Sequence, residues 1–325
     1  MKEEEIRPRR VFDEYLRLTE QDTEKYFNGT ERAGVACPAC GSDGIHSFVK
    51  QGFSYKECPV CQTLFVSPRP PAEAFSLYYQ KSESAKYWAS TFYKETAEAR
   101  REKLWHPKAL MIHDLLERFG AKQYDLVDIG GGYGIFAEEY EKVHGKKVVV
   151  IEPGTALAQV CRDKGLEVVQ GFLEDIRPEQ LGIGPKTFVS FELFEHLHDP
   201  EFFLRHLFGL MSVGDLFVFT TLSGTGVDIQ ALWEDSKSVS PPHHLNFLNP
   251  KSVRMLLQRV GFDVLQTSTP GKLDIDILCN NHQHIKDRFW RTFAIQATEG
   301  EKQAMQSFVA DNGLSSHMLI ACQKS

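Results

Sequence analysis

The chain has 325 residues, of which 42% are hydrophobic, enough for one large α/β domain and a small accessory module. Its formal net charge of -7 excludes a global positive field that would hold a nucleic-acid backbone, so a polyanionic partner is disfavoured. The N-terminal residues lack the apolar stretch of an export signal and no apolar run is long enough to span a membrane, so we expect a cytoplasmic protein.

Four of the seven cysteines are clustered near the N-terminus, and their spacing predicts a zinc site. Cys37-Pro-Ala-Cys40 and Cys58-Pro-Val-Cys61 are two Cys-x-x-Cys turns, which an intervening hairpin would bring together into a closed tetrahedral site. Four thiolates leave no open position for water, so the zinc would be structural and would stabilise a ribbon too small to build its own core. The alternatives are four free thiols or a redox pair.

The pattern of residues along the chain divides it into four segments. We expect an N-terminal extension at residues 1–32 and a zinc ribbon at 33–70, which ends at the proline-rich run Val66-Ser-Pro-Arg-Pro-Pro71. Hydrophobic residues at three-to-four spacing predict a helical linker at 71–120, whose aromatic residues between 87 and 93 either pack or form a substrate lid. Residues 121–325 would form the main domain, with an insertion at about 271–314.

Strand-like and helix-like segments alternate in the main domain. Helices are predicted between most of the strands, for example at 135–144 and 155–164. This βαβ succession predicts an α/β fold with a mostly parallel, seven-stranded sheet and helices on both faces. The strands are predicted at 124–129, 147–151, 167–169, 187–191, 216–221, 262–267 and 317–323.

A glycine-rich motif, Asp128-Ile-Gly130-Gly131-Gly132-Tyr-Gly134, follows the first predicted strand. Glycines allow a sharp turn and let a ligand approach the backbone, and the following helix offers amide donors to a negative group. A dinucleotide-binding loop would read Gly-x-Gly-x-x-Gly, but the sixth position counted from Gly130 is Ile135. The motif therefore predicts a binding loop for a different polar ligand.

This motif resembles the first motif of the Rossmann-like class of S-adenosylmethionine-dependent methyltransferases. The resemblance implies a Rossmann-like fold and a cofactor site formed by Asp128, Gly130, Gly131, Gly132 and Gly134. Val150-Ile-Glu152-Pro resembles the next motif of the family, in which an acid binds both ribose hydroxyls. A carboxylate suits that role because it accepts two hydrogen bonds.

Two further stretches resemble the same family. Gly171-Phe-Leu-Glu-Asp-Ile176 resembles the segment that borders the adenine, but Phe172 replaces an acid, so Phe172 and Leu173 would contribute a stacking or backbone contact. Phe191 to Pro200 is similar to the Glu-x-x-Glu-His-x-x-Asp-Pro stretch of small-molecule methyltransferases, which implies that Glu192 lines the cofactor pocket. The less favoured alternative is a divalent cation at Glu192, Glu195 and His196, as in related quinone O-methyltransferases.

Two adjacent histidines, His243 and His244, follow Pro241-Pro242 after the fifth predicted strand. The prolines restrain the segment, and a restrained imidazole is suited to act as a general base, so we predict a catalytic role for one of them and favour His244. Sugar carbon methyltransferases, which also carry an N-terminal zinc module, resemble this region in part. They have a Glu-His step followed by an aromatic residue; here Phe247 is the aromatic residue, and the acid and a tyrosine before the histidine are absent. The alternative is that one histidine caps a backbone group while the other faces solvent.

Together these features predict transfer of a methyl group from S-adenosylmethionine to a small polar acceptor. The favoured acceptor is a sugar or nucleotide-linked sugar of a bacterial glycan pathway, methylated on oxygen or carbon, because the tail Ser315-Ser-His317-Met is similar to that of methyltransferases in such pathways. An RNA base methyltransferase, also preceded by zinc ribbons, is an alternative that the acidic charge disfavours. A second alternative is a non-catalytic scaffold protein built on a methyltransferase fold. We interpret His317 as structural.

Overall fold

The computed structural model describes residues 1–325. The N-terminal part contains two helices followed by three short antiparallel strands. One Cys-x-x-Cys turn precedes the first strand and the other separates the second strand from the third, so the strands bring the turns together. These elements are α1 (Glu3–Ile6), α2 (Arg9–Phe27), β1 (Ile45–Lys50), β2 (Phe53–Glu57) and β3 (Leu64–Val66).

Residues 72–118 are almost entirely helical, as their hydrophobic spacing predicts. Ser82 separates the first two helices, because its hydroxyl accepts a hydrogen bond from the amide of Ala85 and so caps the second. Two π-helical turns, Trp88–Phe92 and Arg101–Trp105, interrupt the rest of the segment. The helices are α3 (Ala72–Lys81), α4 (Glu83–Tyr87), α5 (Tyr93–Arg100) and α6 (His106–Arg118).

The first half of the main domain alternates strands and helices in the predicted order. The predicted strands agree with the observed ones to within one or two residues at each end. The elements are β4 (Asp125–Ile129), α7 (Ile135–His144), β5 (Val148–Glu152), α8 (Thr155–Asp163), β6 (Glu167–Gln170), β7 (Lys186–Phe191), α9 (Pro200–Leu210) and β8 (Leu216–Leu222).

The second half contains three elements that the sequence did not predict. One is a short helix after β8, another is a two-residue strand after the histidine pair, and the third is a helix at the start of the insertion, ahead of the predicted helix pair. The elements are α10 (Val227–Leu232), β9 (Asn246–Phe247), α11 (Pro250–Val260), β10 (Phe262–Ser268), α12 (Asp274–Asn280), α13 (Arg288–Gln296), α14 (Glu299–Asp311) and β11 (His317–Lys324).

Seven strands form one sheet in the order β10-β11-β8-β7-β4-β5-β6, which confirms the predicted Rossmann-like fold class. The strands from β4 to β8 pair in parallel, whereas β11 runs antiparallel to both β8 and β10. The chain order reverses beside β4, so the ends of β4, β5 and β7 meet at the crevice where open α/β sheets bind ligands.

The sheet is buried on both faces. All six residues of β7 are buried, because helices cover both sides of the central strands. One face packs in a cluster that includes Phe217 and Leu256 and extends to Cys58 and Phe65 of the N-terminal strands. The opposite face packs against α6 and α7 through residues such as Leu115 and Tyr140. The N-terminal strands therefore share a core with the main sheet.

A second sheet joins residues that are far apart in the chain. Its order is β1-β2-β3-β9, so the two-residue strand β9 extends the N-terminal strands. In the antiparallel register Leu64 lies opposite Phe247 and Phe65 lies opposite Asn246. This pairing fixes the segment directly after His243 and His244.

None of the helices combines the length and the apolar composition needed to cross a membrane.

Candidate active site

The glycine loop lies between the end of β4 and the start of α7. The amide of Gly130 donates to the carbonyl of Ile151 at 2.8 Å, which ties the loop to the neighbouring strand β5. A Cβ atom on Gly131 would lie 2.6 Å from Val150 Cγ1, closer than atoms approach in proteins. At Gly132, where the backbone has φ of 55°, a Cβ would instead meet no atom within 4 Å. The loop is therefore closely packed against β5 at Gly131 and borders open space at Gly132.

Asp128 is buried at the end of β4, directly beneath this loop. It is 2% exposed, and its Oδ2 atom has no hydrogen-bond partner. Burial, and after it the negative charge of Glu152, raises the pKa of Asp128 to about 7. A buried carboxylate oxygen without a donor is suited to bind a positively charged group, such as the ammonium of an amino acid.

Glu152 ends β5 and is held by two backbone amides. Its Oε2 accepts a hydrogen bond from Gly132 N at 2.9 Å and its Oε1 accepts from Gly154 N at 2.8 Å. Burial raises the pKa of this carboxyl. Each oxygen has a second lone pair, so the fixed carboxylate fits the predicted role of accepting from two ribose hydroxyls.

The two residues predicted near the adenine differ in their surroundings. Phe172, which follows β6, is 53% exposed, so its ring is accessible for stacking against a planar group. Leu173 is 3% exposed and its side chain belongs to the main core. A ligand contact at Leu173 would therefore involve its backbone.

Glu192 follows β7 and is the anionic centre of the crevice. Its Oε1 accepts from Thr220 Oγ1 at 2.7 Å and lies 3.4 Å from Lys108 Nζ and 3.3 Å from His317 Nδ1. Burial opposes ionisation of Glu192, but His317, Lys108 and Thr220 outweigh it and lower the pKa to about 2. Glu192 is therefore a carboxylate at neutral pH. His317, interpreted from sequence as structural, lies within this site.

Glu195, His196 and His244 form a second group, whose ligand atoms lie within 4.8 Å of one another. The structure thus groups Glu195 and His196 with His244 and not with Glu192, which differs from the cation site considered from sequence. Glu195 accepts a hydrogen bond from Thr221 at 2.8 Å. Burial, and after it the charge of Glu192, raises the pKa of Glu195 to about 8. One carboxyl and two imidazoles are a donor set that a divalent transition metal could use.

His244 is held in one tautomer by the backbone. Its Nδ1 lies 2.6 Å from the carbonyl oxygen of Ser238, which can only accept, so Nδ1 carries the proton. Nε2 is therefore unprotonated in the neutral ring and can accept a proton. Burial is the main reason that the pKa of His244 is lowered to about 4. The ring is thus neutral at neutral pH.

His243 is 7% exposed and enclosed by aromatic residues. Its Nε2 lies 2.7 Å from the hydroxyl of Tyr15 on α2 and 2.8 Å from that of Tyr78 on α3. Burial lowers the pKa of His243 to about 3. His243 therefore links the N-terminal helices to the histidine segment through Nε2, whereas Nε2 of His244 makes no hydrogen bond.

Side chains of the N-terminal strands and the connector position the histidine segment. The buried guanidinium of Arg69 donates to the carbonyl of His198 and to Asn246 Oδ1, both at 2.5 Å. Tyr55 donates to the carbonyl of His244 at 2.9 Å. These contacts could not be predicted from the sequence, because they join residues more than 100 positions apart.

The four clustered cysteines meet at one point. Their sulfur atoms are 3.4 Å apart for Cys40 and Cys58, 3.5 Å for Cys37 and Cys61, and 3.6 Å for Cys61 and Cys40. The two sulfurs of a disulfide are about 2 Å apart, whereas two sulfurs bound to the same tetrahedral zinc are about 3.8 Å apart. The arrangement therefore fits a closed zinc site and contains no disulfide.

Aromatic residues of the helical linker cover the glycine loop. The ring of Tyr93 stacks on that of Tyr133, with the centroids 4.8 Å apart and the planes 4° apart. The hydroxyl of Tyr133 donates to the carbonyl of Ala89 at 2.5 Å. Tyr93 and Trp105 line a small cavity together with Asp128 and the loop. The linker thus packs directly above the predicted cofactor site.

A family model described as a methyltransferase domain matches residues 98–267 of the chain. The match begins within the helical linker and ends in β10, so it includes the glycine loop, Glu152, Glu192 and both histidines. Comparison with curated proteins finds no match.

Several solved methyltransferase structures are similar in fold. The plantazolicin methyltransferase BamL, solved with SAH, has 14% identity and a TM-score of 0.48 over 77% of this chain and 93% of that one. The magnesium protoporphyrin IX methyltransferase of Synechocystis has 11% identity and a TM-score of 0.46 over 74% of this chain and 97% of that one. A putative methyltransferase, solved in complex with the Haloferax volcanii methyltransferase activator Trm112, has 14% identity and a TM-score of 0.46 over 73% of this chain and 95% of that one. At these TM-scores the assignment rests on the family model alone.

Proposed function

The chain belongs to the methyltransferase-domain family, whose model spans more than half of its length, and from this premise we propose that His244 is the general base of its reaction. The family makes it an S-adenosylmethionine-dependent methyltransferase. We further propose that it methylates a small polar acceptor, a sugar or a nucleotide-linked sugar, on oxygen or carbon.

Four parts of the crevice fit the cofactor. Asp128 would accept from its ammonium group, Glu152 from its ribose hydroxyls, and Phe172 would stack on its adenine. The open space above Gly132 would take the methionine portion. When bound, the cofactor supplies an electrophilic methyl group on a sulfonium.

The tautomer of His244 is the observation that carries the proposed base. Methyl transfer is an in-line substitution, so the protein must align the acceptor and exclude water. A hydroxyl becomes a better nucleophile when its proton moves to a base as the new bond to carbon forms. Because Nδ1 of His244 donates to Ser238, Nε2 is the atom that would receive this proton.

A sugar acceptor is supported by the polar, buried surroundings of His244. Glu195 and Thr221 offer buried hydrogen-bonding groups next to it. The partly exposed Tyr79, whose hydroxyl lies 3.5 Å from Nδ1 of His196, offers both a hydroxyl and a ring at the entrance. Sugars are polar molecules with apolar ring faces, so such a mixture of groups suits them. The sequence resemblance to glycan-pathway methyltransferases supports the same class.

Binding and turnover measured separately test this proposal. We expect His244→Ala to bind S-adenosylhomocysteine as the natural chain does in calorimetry, and to lose methyl transfer to a panel of sugars and nucleotide sugars at least about 100-fold. Gly132→Asn should lose binding, because Asn tolerates the left-handed backbone but places a side chain in the cofactor space. His282→Ala, at an exposed histidine, is the control. Unchanged turnover in His244→Ala would remove the base assignment.

A further inference from the structure

Two arginine side chains near the proposed acceptor site have a buried nitrogen without a partner. The Nε atoms of Arg7 and Arg100 are both buried and neither makes a hydrogen bond. Arg100 is 8% exposed, and its guanidinium lies over the rings of Phe92 and Tyr93. By contrast the next residue, Arg101, forms ion pairs with three glutamates.

The two guanidinium groups lie beside one aromatic cluster. Arg7 directly follows α1 and Arg100 ends α5, two helices that pack against each other. The guanidinium of Arg7 lies 5.6 Å from the ring centroid of Phe12, and that of Arg100 lies 5.9 Å from the ring centroid of Phe92. The two ring centroids are 6.2 Å apart. Phe12 also packs beside Tyr15, whose hydroxyl lies 2.7 Å from Nε2 of His243, the neighbour of the proposed base.

Neither Arg7 nor Arg100 forms an ion pair, although Glu3 and Glu192 attract Arg7 from a greater distance. Lys108 adds a third cation, and Glu192 is already bound by Lys108 and His317. Burial is the main cause that raises the pKa of Asp228 to about 7. A buried charge without a partner costs free energy, which a ligand of opposite charge would remove.

A polar cavity of about 250 Å³ lies beside Arg7, between the N-terminal segment and the insertion. Its basic residues are Arg7, Arg9, Lys237 and His284, and its acidic residues are Glu3, Glu4 and Asp13. Lys237 is already paired with Asp13 at 3.0 Å. Of the residues that line this cavity, Arg7 is the one with a buried and unpartnered nitrogen.

We propose that Arg7 and Arg100 bind an anionic group of the methyl acceptor, a phosphate or a carboxylate, and thereby hold its reacting end near His244. This inference rests on the proposed function and narrows the acceptor to charged molecules. Arginine is suited to the task because its planar guanidinium donates two parallel hydrogen bonds to phosphate or carboxylate. A nucleotide-linked sugar carries such a group in its diphosphate, whereas a free neutral sugar does not.

Binding of simple anions to the full-length protein tests the proposal. Pyrophosphate and malonate are titrated calorimetrically into protein saturated with S-adenosylhomocysteine. We expect one of them to bind, and binding to weaken at least tenfold in Arg7→Gln and in Arg100→Gln. Tighter binding of pyrophosphate indicates a phosphate on the acceptor, and tighter binding of malonate indicates a carboxylate. Arg10→Gln, at an exposed arginine paired with Glu95, is the control and should bind as the natural chain does.

Thermal stability of the ligand-free variants separates a binding role from a structural one. Removing an unpaired buried charge should raise the melting temperature in Arg7→Gln, whereas loss of a structural arginine would lower it. Added pyrophosphate should raise the melting temperature of the natural chain more than that of Arg7→Gln.

Three results would overturn the proposal: no binding of either anion, equal binding in Arg7→Gln, or a lower melting temperature for that variant. It would also be overturned if S-adenosylhomocysteine displaced the anion and bound less tightly to both variants, because the arginines would then bind the cofactor's own carboxylate. Failure of the natural chain to bind S-adenosylhomocysteine would count against the proposed function instead.

Discussion

Asp128 is the residue whose protonation we expect to control cofactor binding. Its pKa is raised to about 7, by burial and then by Glu152, and its neutral form cannot pair with an ammonium group. The ionised fraction rises between pH 6 and pH 8, so the affinity for S-adenosylhomocysteine should increase about tenfold over this range. Calorimetry at several pH values measures the change directly.

The Asp128→Asn variant is the control for this pH dependence. Its affinity should be lower and nearly constant between pH 6 and pH 8. In the ligand-free protein, ionisation of Asp128 is unfavourable, because it lowers the stability of the fold. The folded pKa is raised, so Asp128 favours folding below about pH 4 and disfavours it as the pH rises through about 7. The variant should therefore be the more stable protein at pH 8, and an equal pH dependence in both chains would refute the assignment.

His243 is expected to contribute to stability and His244 to turnover. His243→Ala would leave the buried hydroxyl of Tyr15 without a side-chain partner and that of Tyr78 with Ser84 alone, and would open a cavity among the surrounding rings. We expect the free energy of unfolding to fall by about 3 kcal/mol, measured by urea denaturation. His244→Ala leaves only the carbonyl of Ser238 without its donor, so its loss should be smaller. Equal losses in the two variants would contradict this division of roles.

At the scale of elements, the zinc ribbon is expected to hold the catalytic segment. Strand β9 pairs with β3, and Asn249 donates to the carbonyl of Cys61 at 2.7 Å, so the cysteine turns directly support the segment that carries His244. Cys58→Ser should therefore reduce methyl transfer strongly, while S-adenosylhomocysteine, bound at the ends of β4 and β5, should bind with little change. Metal analysis, calorimetry and a turnover assay on the same preparation measure these effects.

Cys279→Ser is the matched control for the ribbon prediction, because Cys279 lies on α12 outside the cysteine cluster. It should keep its zinc and its turnover. A Cys58→Ser protein that has lost zinc but still methylates at the natural rate would show that the ribbon does not position the base.

The sheet could be predicted from sequence because its strands are continuous apolar runs with turn residues at both ends. Strand β9 could not, because it has two residues and its partner β3 lies about 180 positions earlier. The residues of the candidate site can likewise be divided into those that a local motif reveals and those that no motif reveals. Asp128, Glu152 and Glu192 stand in local motifs at strand ends, whereas Tyr15 and Lys108 lie on helices and Arg7 lies in the turn after α1, in segments that contain no motif.

At the scale of the whole molecule, the N-terminal segment and the insertion meet above the ends of the sheet. Lys2 lies 3.0 Å from Glu299 of α14, and the amide of Glu3 donates to Asp276 of α12 at 2.7 Å. Lys103, beside α5, pairs with Glu5. Exposed ion pairs contribute little free energy, so the pairs of Lys2 with Glu299 and of Lys103 with Glu5 add little to the stability of this contact.

The shared core leads us to expect that the ribbon and the main sheet unfold together. Cys58 and Phe65 belong to the same buried cluster as Phe217 and Leu256, so neither part keeps its apolar surface covered without the other. Calorimetry should therefore show one thermal transition, with a calorimetric enthalpy close to the van't Hoff value. A zinc chelator should shift this whole transition to lower temperature. A separate early transition that the chelator removes would show that the ribbon folds as an independent unit.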